Sequence, residues 1–339
     1  MTRYIAYAVE QGETLRDIDG IAIPEPTAAA LAKAGGALVR TVYLAVTDAA
    51  ANVADDTTGE AGAASPSVAS LLGYHRPHTA QQKLTAIGGD RTLWGELIAF
   101  AERQSLAEPD VTVVKYDITE SDAATATAAP LPATDATAHY RQTTEFTCGP
   151  VAVLTAMHRL GIVPKPTRAE ELQMWREATI AVACEPYGLA LAAERRGAHP
   201  TIRVSHTGPA LHPDSKLGLL DPAMARDTQL AFERQAHEAG IPITVAPFSA
   251  DDIADVVSEG HIAVVLIDEL RMHGEACPHW ITVTGRDPAT GALLVDDPWT
   301  DAEYGETSVD AWQLPIRPAD LELMIHYDEP RSAQAMLVF

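Results

Sequence analysis

The sequence predicts an α+β fold for its second part, preceded by a smaller α/β region. In the second part, helical patterns come first and strand-like runs joined by turn residues follow, an order typical of α+β proteins. At 339 residues the chain is long enough for two domains. Residues 121–138 are small, polar and interrupted by proline, which predicts a linker. We therefore expect one domain at residues 1–120 and another at residues 139–339.

The N-terminal region alternates strand-like runs with one helical pattern. Strands are predicted over residues 3–9, 39–46, 68–74 and 111–116, a helix over 93–103 and a surface loop over 51–67. The later elements resemble half of an acyl-CoA-dependent N-acyltransferase domain. However, residues 76–92, RPHTAQQKLTAIGGDRT, lack the glycine spacing that such a domain needs to bind pyrophosphate. We expect this domain to be non-catalytic, with a structural or substrate-presenting role.

Boundary residues mark the helices of the second part. Pro150 fits a first helical turn, and Gly161 ends the apolar pattern that follows it. Thr167 and Glu170 form a capping box for the next helix. Further helices are predicted over 221–240 and 249–260, and strands over 262–267, 280–284, 293–296, 321–327 and 335–339. Residues 287–291 supply the turn between the second and third of these strands.

Composition restricts the partners and the compartment. The chain carries 24 basic and 47 acidic residues, a net charge of −23, which disfavours nucleic acid and anionic membranes as partners. No segment approaches the roughly 20 apolar residues of a membrane helix, and the N-terminus does not have the pattern of a secretory signal. The three cysteines, Cys148, Cys184 and Cys277, are too few for a disulfide framework. These features predict a cytoplasmic protein.

Cys148 is the strongest candidate for a functional residue. It lies at the start of a helical pattern, so the positive end of the helix should face its sulfur and favour the reactive thiolate. Gln142 is placed to donate a side-chain N–H to an oxyanion, with the backbone N–H of Cys148 as the second donor. A single cysteine on a helix is more often an inert core residue. The interpretation of Cys148 therefore depends on its partners.

A histidine and an aspartate later in the chain could be those partners, although each alone is more often structural. His279 follows Pro278 at the start of a predicted strand, which holds a side chain rigidly. Asp297 ends the next strand, and pairing of the two strands would bring its carboxylate beside the imidazole. Asp296 points to the opposite face because side chains alternate along a strand. The order cysteine, histidine, aspartate predicts nucleophilic catalysis by a thiolate.

Two other groups of residues have competing interpretations. His273, Cys277 and His279 lie within seven residues of one another and could bind zinc. A structural zinc site needs a fourth ligand with paired spacing, and no second Cys or His pair lies nearby, so we expect no metal and no cofactor. Cys184 opens a further helical pattern and either lines the cleft or packs as a small core residue.

Three segments resemble papain-fold cysteine peptidases: TCGPVAVLTAMHRLG, with Gln142 six residues before its cysteine, PHWITVTGRD and LLVDDPW. They are most similar to the bacterial peptidases that process bacteriocins at double-glycine leaders and to stand-alone relatives of those enzymes, which CEPYGLALAAERRG also resembles. The resemblance covers about residues 139–300. It implies a papain-like fold, with Cys148 as nucleophile, His279 as base, Asp297 as its orienting partner and Gln142 as oxyanion donor.

The chain departs from that family in two ways. It has neither the membrane region nor the nucleotide-binding loop of a transporter-fused exporter. Its first 120 residues and the helices inserted at 207–240 have no counterpart in the minimal peptidase. Because these additions could reshape the cleft, the double-glycine substrate is not carried over.

The sequence therefore predicts a cytoplasmic bacterial cysteine peptidase. It would cleave a peptide or isopeptide bond of a peptide or protein substrate through an acyl-enzyme. One alternative is an acyl-transferring enzyme, such as a peptide cyclase, a ligase or a transglutaminase-like enzyme, that uses the same triad. A second alternative is a non-catalytic protein that keeps the fold to bind peptides.

Overall fold

The computed structural model describes residues 1–47, 66–118, 136–211, 221–327 and 332–339. The chain divides into two compact units. The first unit is Met1–Pro77, Gln81–Asp135 and Ala302–Val309, and the second is His78–Ala80, Ala136–Asp301 and Asp310–Phe339. The predicted loop at 51–67 and linker at 121–138 lie outside the described residues, except at their last two and last three positions. The predicted domain limits remain a prediction.

The first unit contains a five-stranded sheet in the order β1-β4-β5-β6-β7. Its strands are β1 Thr2–Val9, the short pair β2 Asp17–Ile18 and β3 Ile21–Ala22, β4 Val39–Thr47, β5 Val68–His75, β6 Gln81–Gly89 and β7 Val113–Asp117. Helix α1, Thr27–Lys33, packs through Leu31 in one apolar cluster, and helix α2, Trp94–Ala107, packs through Leu97 in another. The strands and the helix predicted here are confirmed within a few residues.

Strand β6 was not predicted from the sequence. It begins with three polar residues, Gln81, Gln82 and Lys83, and all three are buried. The Lys83 ammonium lies 3.3 Å from the Asp117 carboxylate and 4.5 Å from the centre of the Tyr74 ring, so its burial is compensated. Hydrophobic periodicity cannot find a strand whose buried positions carry amides and a charge.

The segment Ala302–Val309 belongs to the first unit although it lies late in the chain. The guanidinium of Arg76 donates two hydrogen bonds of 2.7 Å to the Glu306 carboxylate, and both side chains are 2% exposed. The hydroxyl of Tyr74 donates to the carbonyl of Gly305 over 2.7 Å. A buried, bidentate ion pair of this kind fixes the segment within the first unit.

The second unit contains a seven-stranded sheet in the order β13-β12-β11-β10-β14-β8-β9. Its strands are β8 Thr201–Val204, β9 Ile243–Val245, β10 Ala263–Asp268, β11 Pro278–Arg286, β12 Leu293–Asp296, β13 Leu314–Ile316 and β14 Ala335–Val338. The helices that follow α2 in the chain are α3 Cys148–Arg159, α4 Arg168–Ala178, α5 Pro186–Glu194, α6 Pro222–Glu238, α7 Ala250–Ser258, α8 Leu270–His273, α9 Ser308–Ala311 and α10 Pro318–Glu322. The predicted α+β class is therefore correct for this unit.

Both faces of this sheet are covered by helices. Val264 and Leu266 share one apolar cluster with α3 and α5, whereas Val265 and Ile267 share the other with α7. This alternation is expected for a strand that is buried on both faces. Neighbouring strands are antiparallel except β8 and β9, which are parallel.

The strand predicted at 321–327 is wrong. The structure has helix α10 there, followed by a turn and a single bridge between Tyr327 and Ala333. Leu321, Met324 and Ile325 are fully buried, and their spacing of three and four residues is that of a helix face. The short apolar run was therefore misassigned to a strand.

In the described part of the chain, no helix combines the length and the apolar character needed to cross a membrane. The longest of these helices, α6, has 17 residues and a polar sequence. The predicted helix at 221–240 is confirmed by α6.

Helices α4 and α5 approach each other so closely that Gly188 tolerates no side chain. A Cβ at Gly188 would lie 1.9 Å from the carbonyl oxygen of Ala178. We expect Gly188→Ala to lower the free energy of unfolding by about 3 kcal/mol, measured by urea denaturation. Gly285→Ala is the control because a Cβ there meets no atom within 4 Å. Equal effects of the two substitutions would contradict this packing.

Candidate active site

Cys148 is the first residue of α3 and is 6% exposed. The helix is packed tightly at this end, since a Cβ on Gly149 would lie 3.0 Å from Leu189. Thr147 precedes the helix but its side chain does not cap it, because its hydroxyl donates instead to Glu171. Pro150 has no N–H. The first backbone N–H groups of α3 therefore face the region of the Cys148 sulfur without a side-chain cap.

His279 lies near the start of β11, where Ile267 of β10 is its paired residue. The next residue, Trp280, points to the opposite face and is 1% exposed. Its indole N–H donates to the carbonyl of Cys184 over 3.0 Å. Thr282, two residues further, donates to the carbonyl of Ala152 in α3 over 2.9 Å. The Thr282 contact joins β11 to the helix that carries Cys148, and the Trp280 contact joins it to the segment before α5.

The structure brings His279 and Asp297 together. Nε2 of His279 lies 2.7 Å from Oδ1 of Asp297, which also accepts the backbone N–H of Trp299 at 2.8 Å. The backbone of Asp297 donates to Ala311 over 3.0 Å, and its carbonyl lies 2.7 Å from Nε2 of His139. The Asp297 side chain is fully buried. Its position is thus fixed through both backbone and carboxylate.

The two adjacent aspartates have different partners. Asp296 pairs with Arg159 of α3, with 2.6 Å between Nε and Oδ2, and accepts the backbone N–H of Gln313. The Arg159 guanidinium in turn lies 4.2 Å from the centre of the Trp312 ring. Asp296 thus helps to hold α3 against the sheet, while Asp297 contacts His279.

His279 lies between two carboxylates. Its Nδ1 is 3.1 Å from Oε1 of Glu269, on the side of the ring opposite Asp297. Burial by itself lowers the pKa of His279. The charges of Glu269 and Asp297, with hydrogen bonds between the ring and Asp297 and Cys148, outweigh burial and raise this pKa well above 6.5. The two carboxylates therefore favour the positively charged form of the ring.

Gln142 contacts neither Cys148 nor His279 by a hydrogen bond within the described part of the chain. Its backbone N–H donates to the carbonyl of Pro298 over 2.9 Å, next to Asp297. Its side-chain amide donates one N–H to the carbonyl of Thr144 over 2.8 Å. The side chain is 4% exposed, so Gln142 is buried near the end of β12 with one N–H left for another acceptor.

A pocket of about 380 Å³ opens beside Gln142. It is lined by Arg141, Gln142, Thr143, Thr144, Glu145 and Trp299. Trp299 follows Asp297 by two residues, so the pocket borders the chain segment that carries the carboxylate. A peptide side chain would fit a pocket of this size.

Glu171 organises the segment between Gln142 and Cys148. This carboxylate of α4 is fully buried and accepts hydrogen bonds from the hydroxyl of Tyr140 at 2.8 Å and the backbone N–H of Thr143 at 2.8 Å. It also accepts the hydroxyls of Thr143, at 3.0 Å, and Thr147. One side chain thereby fixes the loop before α3 at both of its ends.

The remaining thiols differ from Cys148 in their surroundings. Burial, the nearby Cys148 and Glu185 raise the pKa of Cys184 well above its ordinary value. Burial, Glu269 and Cys148 raise the pKa of Cys277 to about 12. Cys184 lies in the core beneath α3, as the packing interpretation of the sequence predicted.

The residues of the zinc interpretation contact different groups. Nε2 of His273 lies 3.8 Å from Asp297, and the thiol of Cys277 lies 3.8 Å from the carbonyl of Pro278. His279 is occupied by its two carboxylates. Across the described ranges, no group of three His, Cys, Asp or Glu residues is placed to hold a metal ion.

The glycines of the first unit have a packing role. A Cβ on Gly88 would lie 2.3 Å from the Glu25 carbonyl oxygen, and one on Gly89 would lie 2.1 Å from that of Val68. The carboxylate of Asp90 accepts the backbone N–H of Thr92 at 2.9 Å, before α2. Gly88 and Gly89 therefore allow close approach of neighbouring backbone. The non-catalytic role expected for this unit remains a prediction.

Sequence reasoning did not identify Glu171 and Glu269. Glu171 shares a helix face with the buried Met174 and Ala178, so a carboxylate on an apolar face was the available signal. Glu269 follows β10, and its backbone N–H donates to Cys277 over 3.0 Å. Only the register of β10 with β11 places it on the same face as His279.

Removal of the Glu171 carboxylate should destabilise the loop before α3. We expect Glu171→Ala to lower the free energy of unfolding by about 3 kcal/mol, because it leaves buried hydroxyl and N–H donors without an acceptor. Glu170→Ala, its neighbour, loses only a capping carboxylate and should cost about 1 kcal/mol. Urea denaturation measures both. An equal loss for the two variants would contradict the role of Glu171.

The model of one protein family, described as the Peptidase_C39 like family, matches residues 137–339. No curated protein matches the chain. The matched range contains Cys148, His279, Asp297 and Gln142, together with Glu171 and Glu269. It spans more than half of the 339 residues, so the chain belongs to the Peptidase_C39 like family.

Proposed function

We propose that the protein is a cysteine peptidase that cleaves a peptide or isopeptide bond through an acyl-enzyme. The observation that carries this proposal is the arrangement of His279, which lies 2.7 Å from Asp297 and interacts with Cys148 at the start of α3. A positive ring and a helix start beside a sulfur are the conditions that favour a thiolate. The family supports a peptidase relationship.

In the proposed reaction, the Cys148 thiolate attacks the carbonyl carbon of the scissile bond and forms a tetrahedral oxyanion. The backbone N–H of Cys148 and the second side-chain N–H of Gln142 donate to that oxyanion. The intermediate then collapses, the C–N bond breaks, and His279 gives its proton to the leaving amine. An acyl-thioester on Cys148 remains.

The second half of the reaction consumes water. His279, now neutral, accepts a proton from a water molecule as the water oxygen attacks the thioester carbonyl. The C–S bond breaks, the carboxylic acid leaves and the thiolate–imidazolium pair forms again. Throughout, Asp297 orients the ring through Nε2, and Nδ1, which Glu269 also contacts, exchanges the proton with the reacting atoms.

The packing of α3 on β11 supports a papain-like fold for the second unit. Thr282 donates to the carbonyl of Ala152, and Trp280 packs in the same cluster as α3. The substrate would be a peptide or protein, with one side chain in the pocket beside Gln142 and Trp299. Cytoplasmic location, and the absence of nucleic-acid and membrane partners, remain predictions of the sequence.

Alkylation by iodoacetamide tests for the activated thiol. At pH about 6 we expect one label, on Cys148, because burial keeps Cys184 and Cys277 in the thiol form. His279→Ala should slow this labelling by about tenfold or more, since the adjacent positive charge is lost. Intact-protein mass spectrometry measures the rates.

Cys148→Ala is the matched control for the alkylation and should take up no label at this pH. Labelling of Cys148 that begins only above pH about 8, as for a free thiol, would contradict the peptidase and favour a peptide-binding protein.

Competition between water and an added amine separates hydrolysis from acyl transfer. The protein is incubated with a mixture of peptides in the presence of glycine amide, and the products are weighed. A peptidase yields free carboxylates in a reaction that Cys148→Ala abolishes. Products that carry glycine amide in preference to water would favour the acyl-transferring enzyme.

A further inference from the structure

Glu269 is a residue that a Cys-His-Asp mechanism does not require, yet it contacts the imidazole directly. Its Oε1 lies 3.1 Å from Nδ1 of His279, the nitrogen that should face the thiol. Its side chain is 16% exposed, and that of His279 is 3% exposed. The contact is therefore largely shielded from water, where a charge pair interacts more strongly than at a surface.

The two carboxylates together determine the protons on the ring. An ionised carboxylate only accepts hydrogen bonds, and a neutral imidazole carries one N–H. With Asp297 at 2.7 Å from Nε2 and Glu269 at 3.1 Å from Nδ1, both ring nitrogens must be protonated. Glu269 therefore shares the Nδ1 proton with Cys148, the other group that interacts with this ring.

Other charged groups near the ring are directed elsewhere. Asp268 accepts the backbone N–H groups of Leu270 at 3.0 Å and Cys277 at 3.3 Å. His273 faces Asp297 at 3.8 Å. The thiol of Cys277 lies near its own neighbour's carbonyl. Among these groups, Glu269 is the carboxylate that reaches Nδ1.

We propose that Glu269 is a positioning residue of the site: it holds the Nδ1–H of His279 and sets the pH range in which thiolate and imidazolium coexist. This inference rests on the proposed function. A second carboxylate keeps the ring protonated to higher pH, because it stabilises the positive charge. A negative charge this close to the ring also opposes a second negative charge, that of a thiolate, beside it. The pH range in which thiolate and imidazolium coexist is therefore displaced towards alkaline pH at both its acid and its alkaline limit.

Glu269→Gln keeps the shape of the side chain and removes its charge. We expect it to lower the pH midpoint of Cys148 alkylation by iodoacetamide by about one pH unit. The pH at which His279 loses its ring proton should fall in the same direction, measured by ¹⁵N NMR of histidine-labelled full-length protein. A merely structural role would lower the extent of reaction without moving both midpoints together.

Glu275→Gln is the matched control, since Glu275 is an exposed carboxylate that lies in the segment between Glu269 and His279. It removes the same charge and should leave both midpoints unchanged. Glu269→Asp, which keeps the charge but shortens the side chain, should give midpoints between those of wild type and Glu269→Gln. Circular dichroism confirms that each variant is folded.

The outcomes separate this proposal from the proposed function. If wild-type Cys148 reacts at pH about 6 but Glu269→Gln has the wild-type midpoints, the role of Glu269 is overturned and the peptidase stands. If wild-type Cys148 reacts only as a free thiol, the proposed function itself fails. A shift of both midpoints to higher pH in Glu269→Gln would also overturn the role, because its sign is opposite.

Discussion

The carboxylate of Asp297 is fully buried, and the remainder of the site is arranged around that fact. A buried ionised group must be surrounded by donors, because its desolvation is otherwise too costly. The protein supplies the His279 ring and the backbone N–H of Trp299 to the same oxygen, while the backbone of Asp297 bonds to Ala311. Each donor comes from a different point of the chain. The position of the imidazole is thus determined by the same bonds that make the buried charge tolerable.

Three carboxylates therefore have distinct functions in one small region. Asp297 orients the imidazole, Glu171 fixes the loop that leads into α3, and Glu269 contacts the nitrogen that faces the thiol. Their negative charges are directed at the His279 ring and at N–H and O–H donors. The stability of such a region depends on hydrogen bonds more than on pairs of opposite charge. It therefore depends on the local geometry of donors and acceptors.

The sequence was informative where function depends on local order. A helix start after Cys148 and a hairpin between His279 and Asp297 are short-range features, and strand alternation separates Asp297 from Asp296. Glu269 and Glu171 were missed because their positions depend on strand register and on the packing of α4. Strand β6 was missed and helix α10 was misassigned to a strand for the related reason that burial, and not local propensity, decides their state.

The segment Ala302–Val309 has a consequence for how this protein can be divided. It lies inside the range that matches the family, but its Glu306 is paired with Arg76, far outside that range. A chain shortened to the family range would keep Glu306 and lose both Arg76 and the rest of the unit in which the two side chains are buried. The same segment begins only five residues after Asp297. The range that matches the family therefore separates this segment from the first unit, to which it belongs.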